Sequence, residues 1–530
     1  MSALTSRGNR RWWALGAVSL GVLAVGVDGT VLSVALPTLS KALSASESDL
    51  QWFTSLYFLV LAAAMLPAGL LGDRYGRKRV MLIALALFGV GSAGSAFSTS
   101  VAEFMAARVV MGLAGAGVIV MAITALTVLF SEKERPKAVG IWAAANFVAF
   151  PIGPILGGWI LTDFWWGWVF LINVPIALVG LAALAVLVPE SRSSQRPGID
   201  LVGIAASAAG LVTLTYGLIE AGQNGWGDIG AVLLMVVGVG VLVGFISYEG
   251  WLGRRPGGQP LLDMMLFNSA SFTWGVILAA VPLLAMIGIL FGMPQYFQGV
   301  LGINAMGSGL RLLPLIAGLM LGAVPAARIV PRVGAKVVVA VGFCLLAVGL
   351  FLGTMTAVGA SAVFTAAWMF LAGVGVGLAL ATATSAALVE LSQERSGVGS
   401  AVLQAVNKVG GPLGTAILGS VLSIGYLGGL HLSGLPASAA AAVRQSVFGG
   451  VAVADKLRST SLLTSVRMSF VHGMDTALLV AAGIAVAGAV ITVVFLPQAS
   501  AARETTVAVV NGHEVAHVGT VYEAKDAKAA

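Results

Sequence analysis

Apolar runs about 20 residues long, the length a helix needs to cross a bilayer, recur fourteen times along this chain. They fall near 12–36, 50–72, 79–99, 104–126, 137–161, 167–189, 199–220, 229–249, 270–294, 307–329, 336–357, 361–389, 397–424 and 474–497. Lipid offers the backbone no hydrogen-bond partners, so only helices and closed barrels can span it. Runs of this length predict an all-α integral membrane fold. Only 10% of residues are charged, against about 25% in soluble domains, and a net charge of +7 is then better explained by the loops than by nucleic acid.

An even number of spans puts both ends on one side. Most of the 29 Lys and Arg lie in the termini and turns of that side, whereas the short turns opposite hold only Lys41. The positive-inside rule makes both termini cytoplasmic. The exception is the connection 425–473, with Arg444, Lys456, Arg458 and Arg467. A hairpin, a helix lying on the outer membrane surface and a plain linker all fit it.

One short turn carries more than topology. Gly69 to Arg79 reads GLLGDRYGRKR. Arg74, Arg77, Lys78 and Arg79 anchor it on the cytoplasmic side. Gly69 and Gly76 allow close helix approach and chain reversal, and Asp73 can pair with Arg74, Arg77 or a neighbouring helix. The run resembles the loop 2–3 signature of the major facilitator superfamily. That resemblance implies two six-helix bundles plus, with fourteen spans, two inserted helices.

An internal repeat agrees. Gly76, Lys78, Gly115, Gly117, Gly153 and Pro154 recur at one constant offset as Gly334, Lys336, Gly373, Gly375, Gly411 and Pro412, while Asp73 is matched by Pro331. The predicted organisation is an N-terminal half over 1–190, an inserted helix pair over 191–264, a C-terminal half over 265–497 and a disordered tail over 498–530.

Four features inside the spans bear on function. Asp28 lies deep in the first span, where a charge costs a few kcal/mol at least, so its default reading is functional: a carboxyl that takes a proton on one side and loses it on the other. A structural packing acid is the alternative. Arg108, in RVVMGLAGAG, has Gly112 one turn away on the same face, so backbone or substrate can come near it; the alternative is that it only orients its helix. Ala149, Gly153 and Gly157 form a small-residue stripe in the fifth span, and Pro154 loosens that helix. Arg311 and Lys408 are isolated basic residues that could meet anionic groups, pair with Asp28 or act as local anchors.

These residues extend the resemblance. D-x-T-V-x-x-V-A-L-P from Asp28 resembles the first-helix signature of the fourteen-span drug:proton antiporters. Arg108 resembles the fourth-helix arginine thought to aid proton transfer. Gly140, Ala149, Gly153, Pro154, Gly157 and Gly158 resemble the antiporter motif, with Ala149 in place of a glycine. Related exporters of divalent cations use an acid where this chain has Leu319, which argues against dications.

The resemblance therefore implies a proton-coupled exporter of lipophilic monocationic or amphiphilic drugs, acting as a monomer in the bacterial cytoplasmic membrane. Partners would be protons, small molecules and lipid, with no cofactor. A narrow metabolite transporter would share the fold. Nucleotide loops and clustered metal ligands are missing from the cytoplasmic turns, which argues against an enzyme. The HEVAH run at His513–His517, with Glu523 nearby, matches a zinc-protease pattern, but sits in a polar tail too short to close a site and is read as coincidence.

Overall fold

The computed structural model describes residues 2–131, 134–192, 198, 200–389, 391 and 393–497, with side chains for all but 2–10, 127, 136, 146 and 393–397. The tail, including HEVAH and Glu523, lies outside the described residues. Every regular element among the described residues is helical, and fourteen helices are long and apolar enough to span a membrane. They are α1 Arg11–Ala42, α2 Glu47–Tyr75, α3 Arg77–Ala96, α4 Val101–Leu126, α5 Lys137–Asp163, α6 Trp168–Leu187 and α7 Leu201–Asn224. The rest are α8 Ile229–Arg254, α9 Ala270–Val300, α10 Ala305–Val333, α11 Ala335–Gly353, α12 Ala362–Val389, α13 Val398–Gly429 and α14 Thr460–Phe495.

Local chemistry sets several of these boundaries. Ser46 caps α2 through a reciprocal box with Asp49, which satisfies two otherwise orphaned groups. Asp228 and Asn304 cap α8 and α10. Gly76 and Gly334 turn the chain between α2–α3 and α10–α11 with φ of 113° and 86°, a region that disfavours any side chain. These two glycines are repeat mates.

The helices form two bundles. Val22, Leu61, Leu85, Phe88, Met111 and Leu184 fill the interior of α1–α6. Phe272, Leu290, Leu315, Phe343, Trp368 and Phe470 fill that of α9–α14. The repeated glycines do the same work in each. A Cβ at Gly117 would meet Ala84 of α3 at 2.7 Å, and one at Gly375 would come within 2.8 Å of Leu346 Cα in α11. Helices α7 and α8 stand outside, with Leu218 and Ile219 of α7 packing on Ala416 of α13 and on Trp52 of α2. Their partner α8 exposes Leu233, Val236, Val239 and Val243, the surface expected against lipid.

Hereafter the side carrying Arg11 and Phe495 is the terminal side, and the opposite one the far side. The halves are bonded across the far side and the middle of the molecule. Gln295 Nε2 donates to Glu47 Oε1 at 3.0 Å, Gln298 Nε2 to the Val34 carbonyl at 3.1 Å, and the Met306 amide to Thr162 Oγ1 at 3.2 Å. Nearer the middle, Ser55 Oγ donates to the Pro412 carbonyl at 3.5 Å.

Two expected boundaries need correction, and the long connection proves helical rather than a plain linker. The connection expected over 425–473 is shorter, because α13 runs on to Gly429 and α14 begins at Thr460. Arg467 lies inside the roughly four turns added to α14 and lowers the local hydropathy, which hid the helix start. What remains holds two short helices, Ala437–Gln445 and Val447–Lys456. Val443, Val447, Phe448 and Ala454 are buried against the C-terminal bundle, and the Tyr426 hydroxyl donates to the Val443 carbonyl at 2.7 Å. This segment is a packed cap on the bundle. Finally, α9 extends past the expected 294 through a π-helical turn, Tyr296–Val300.

Candidate functional site

Asp28 and Arg108, expected separately, form one site. Their side chains are both fully buried, and Arg108 Nη1 donates to Asp28 Oδ2 at 2.6 Å. The guanidinium lies 4.2 Å from the centroid of the Tyr57 ring and its Nε donates to the Phe53 carbonyl at 3.3 Å. The Tyr57 hydroxyl in turn donates to the Val25 carbonyl at 3.2 Å. Helices α1, α2 and α4 therefore share one polar knot inside an apolar bundle. Gly112 lets it close: a Cβ there would lie 2.8 Å from the Tyr57 carbonyl oxygen and 2.9 Å from Val60.

The knot is not fully satisfied. Asp28 Oδ1 and Arg108 Nη2 are buried and lack hydrogen-bond partners. A buried polar atom left unpaired costs about 1–3 kcal/mol, more for charged groups, so the carboxyl holds a vacant acceptor beside its ion pair. Chemically, the arrangement can hold a negative charge against Arg108 or lose that charge to a proton. Either change alters what ties α1 to α4.

Beside the knot, a cavity of about 100 Å³ lies between the halves, roughly the volume of three waters. A drug-sized occupant would require the halves to part. Its lining follows the internal repeat: Val25, Gly29, Ala149 and Phe150 from α1 and α5 are matched by Leu283, Ile287, Asn407 and Lys408 from α9 and α13. Tyr57 and Phe58 complete one wall. Asp28 is not part of the lining, being turned toward α4 behind Tyr57.

The antiporter-like stripe packs against the backbone just beyond Asp28. Thr30 Oγ1 lies 3.3 Å from the Ala149 carbonyl. A Cβ at Gly153 would reach Thr30 Cβ and the Val31 amide at 2.9 Å, and one at Gly157 would meet Val31 Cγ2 at 2.6 Å. The adjacent Gly158 faces α10 instead, 2.8 Å from the Ala305 carbonyl by the same measure, and the Pro154 carbonyl abuts Gly309. Helix α5 is thus wedged between α1 of its own half and α10 of the other. Gly140, at the terminal end, faces open space.

The terminal-side turn is tied down within its own half. Arg77 Nη2 pairs with Asp73 Oδ1 at 2.9 Å, one of the partners expected for Asp73, and Arg74 lies 5.7 Å from the Tyr75 ring. Sequence reasoning missed Glu190, at the end of α6. It accepts from the Lys78 amide at 3.1 Å, sits 3.7 Å from Arg79 Nε, and lies 2.6 Å from where a Cβ of Gly76 would be. Lys78 Nζ donates to the Ala185 carbonyl at 2.6 Å. Gly69 meets Val120 of α4 at an ordinary 3.5 Å.

The remaining sequence candidates part company. Lys408 lines the cavity, whereas Arg311 lies near Gly307 at the far-side end of α10 and outside it. Neither pairs with Asp28. Leu319 is buried against Gly373 and Gly377 of α12, away from the lining. Also missed were the ion pair of Arg11 with Glu134 at 2.6 Å and the buried contact of Glu47 with Gln295. The rule that charges in membranes pair with one another pointed to a partner for Asp28 without saying which.

Comparison with known proteins identifies the family and the fold. The Major Facilitator Superfamily model matches residues 18–415. The tetracenomycin C resistance and export protein of Streptomyces glaucescens is 32% identical over 91% of this chain and 91% of its own. The multidrug efflux pump LfrA of Mycolicibacterium smegmatis is 32% identical over 92% of this chain and 96% of its own. Among solved structures, a bacterial homologue of the human lysosomal transporter Spinster in an inward-facing, unoccupied conformation superposes with a TM-score of 0.67. It covers 91% of this chain and 96% of its own at 16% identity, a likeness of fold.

Proposed function

The chain belongs to the Major Facilitator Superfamily, and on that premise we propose that it is a proton-coupled antiporter. It exports amphiphilic drugs and antibiotics across the bacterial cytoplasmic membrane, with both termini cytoplasmic. The relatives' names support export, and the basic terminal-side turns support the orientation. The observation that carries the coupling is the fully buried Asp28–Arg108 pair, placed directly behind the wall of the central cavity.

The positions of these groups support the following cycle. With the far side closed, the terminal side gives access from the cytoplasm and Asp28 is charged against Arg108. Substrate enters the cavity and the halves rock about the α1–α5–α10 wedge. From outside, a proton neutralises Asp28 and weakens its hold on Arg108. The change reaches α5 through Thr30 and Val31, and α10 through Gly158 and Pro154. Return to the first state releases the proton inward. Each positive charge moving inward contributes about 2.3 kcal/mol per 100 mV. Asp73, Arg74 and Arg77 would bridge the halves in the opposite state, having only local partners in this one.

The test is dye efflux from energised cells expressing the protein, using neutral, cationic and anionic probes with and without a protonophore. Export above the control level that collapses with the protonophore supports the reading. Export that survives the protonophore overturns the coupling, and no movement of any probe by well-expressed protein overturns drug export.

A further inference from the structure

Charge in the central cavity is unbalanced. Lys408 is the one charged side chain of its lining, and no described residue forms an ion pair or hydrogen bond with it. Asp28, behind the wall, is fully buried and already bound to Arg108, so those two charges cancel. Beside Lys408, Asn407 is about nine-tenths buried and its Oδ1 has no partner. The other lining groups are apolar or neutral, with Phe58, Phe150 and Tyr57 supplying flat aromatic faces.

Resting on the export reading above, we propose that this cavity selects aromatic anions, a carboxylate, sulfonate or phenolate carried on a ring system. The anionic group pairs with Lys408 Nζ, a donor hydroxyl beside it is accepted by Asn407 Oδ1, and the rings lie against Phe58 and Phe150. An ammonium or guanidinium placed there would face Lys408 with no free carboxylate to offset the repulsion, so the expected preference for monocations is reversed. The repeat sharpens the point: Lys408 occupies the position that Phe150 holds in the other half, so one wall supplies a charge where the other supplies a ring.

The inference has an electrical consequence. Exchange of one monoanion outward for one proton inward carries two charges across the membrane. The same exchange of a monocation carries none. Export of anions by this protein therefore responds to membrane potential, and export of monocations responds to the pH gradient alone.

The experiment uses the full chain, purified in detergent for binding and in proteoliposomes for transport. The probes are 8-anilinonaphthalene-1-sulfonate as the aromatic anion and ethidium as the cation. The expected result is tighter binding of the sulfonate than of ethidium, weakened at least tenfold in Lys408→Gln, largely kept in Lys408→Arg and inverted toward ethidium in Lys408→Glu. Equal sulfonate binding by wild type and Lys408→Gln, or stronger ethidium binding by wild type, overturns the proposal. Because Lys408→Arg keeps size and charge, its behaviour separates a lost contact from a lost fold. In vesicles given an inside-negative potential, a valinomycin clamp that abolishes that potential should slow sulfonate export and leave ethidium movement unchanged. Lys408-dependent sulfonate binding without any gradient-driven transport leaves this inference standing and removes the export reading. Proton-driven ethidium export with no Lys408-dependent binding does the reverse.

Discussion

The two bundles descend from one repeat, yet they treat charge in opposite ways. The N-terminal half buries an ion pair completely, Asp28 with Arg108. At the positions one repeat further on, the C-terminal half has Met286 and Ala366. Its own charge, Lys408, is presented to the cavity without a partner, where the N-terminal half has Phe150. The shared parts are those of packing: turn glycines with positive φ, and glycines that let the fourth helix of each bundle lie against the third. Near the axis the two halves diverge in charge. On the proposed reading, one half holds the proton site behind the wall and the other the substrate contact on it, so neither function obstructs the other.

The strongest way to break this contrast is Arg108→Ala. Removing one member of a buried pair leaves an uncompensated charge and costs about 3–5 kcal/mol, so thermal denaturation in detergent should show a large loss along with loss of transport. Replacing both partners with apolar residues, Asp28→Leu with Arg108→Met, should recover most of the stability and none of the coupling. If the single and double variants are equally stable, the pair is not holding a buried charge.

A second contrast lies between repeat mates. Gly153→Ala would press on Thr30 and Val31 at 2.9 Å, whereas Gly411→Ala would meet Ile287 and Phe58 at an ordinary 3.6 Å. Overpacking of the first kind costs about 1–3 kcal/mol. The expected outcome is a lower melting point and slowed transport for Gly153→Ala alone. Within the antiporter-like motif, Gly140→Ala should fall within about 0.5 kcal/mol of wild type, because nothing lies near it.

These cases mark what the sequence disclosed. Apolar run length, loop charge and repeated glycines follow from local or periodic rules, and they located the spans, the turns and the two-bundle plan. Contacts between distant positions obey no such rule. Arg108 lies 80 residues from Asp28, Glu190 lies 112 from Lys78, and Gln295 lies 248 from Glu47. Each is a single polar residue in an unremarkable stretch until the fold brings its partner to it. The helical cap at 437–456 was legible only in part: a hairpin, a surface helix and a linker all fitted a stretch so short and small in side chains, and its burial against the bundle rests on distant contacts.

The smallest effect is expected at the terminal-side turn. Asp73 and Arg77 are partly exposed and pair across the Gly76 turn between α2 and α3, and exposed pairs are worth about 0.2–1 kcal/mol. Asp73→Asn should barely move the melting point. A clear fall in transport rate at unchanged stability would place its importance in the opposite state of the cycle, where the turn is proposed to bridge the halves.

The central claim is that Asp28 couples the proton to movement of the halves, and Asp28→Asn in proteoliposomes tests it most directly. Substrate exchange at equal concentrations needs only the rocking motion, whereas uphill accumulation against an imposed pH gradient needs the titrating carboxyl. The account predicts that Asp28→Asn keeps exchange and loses accumulation. Accumulation by that variant at the wild-type level would contradict it.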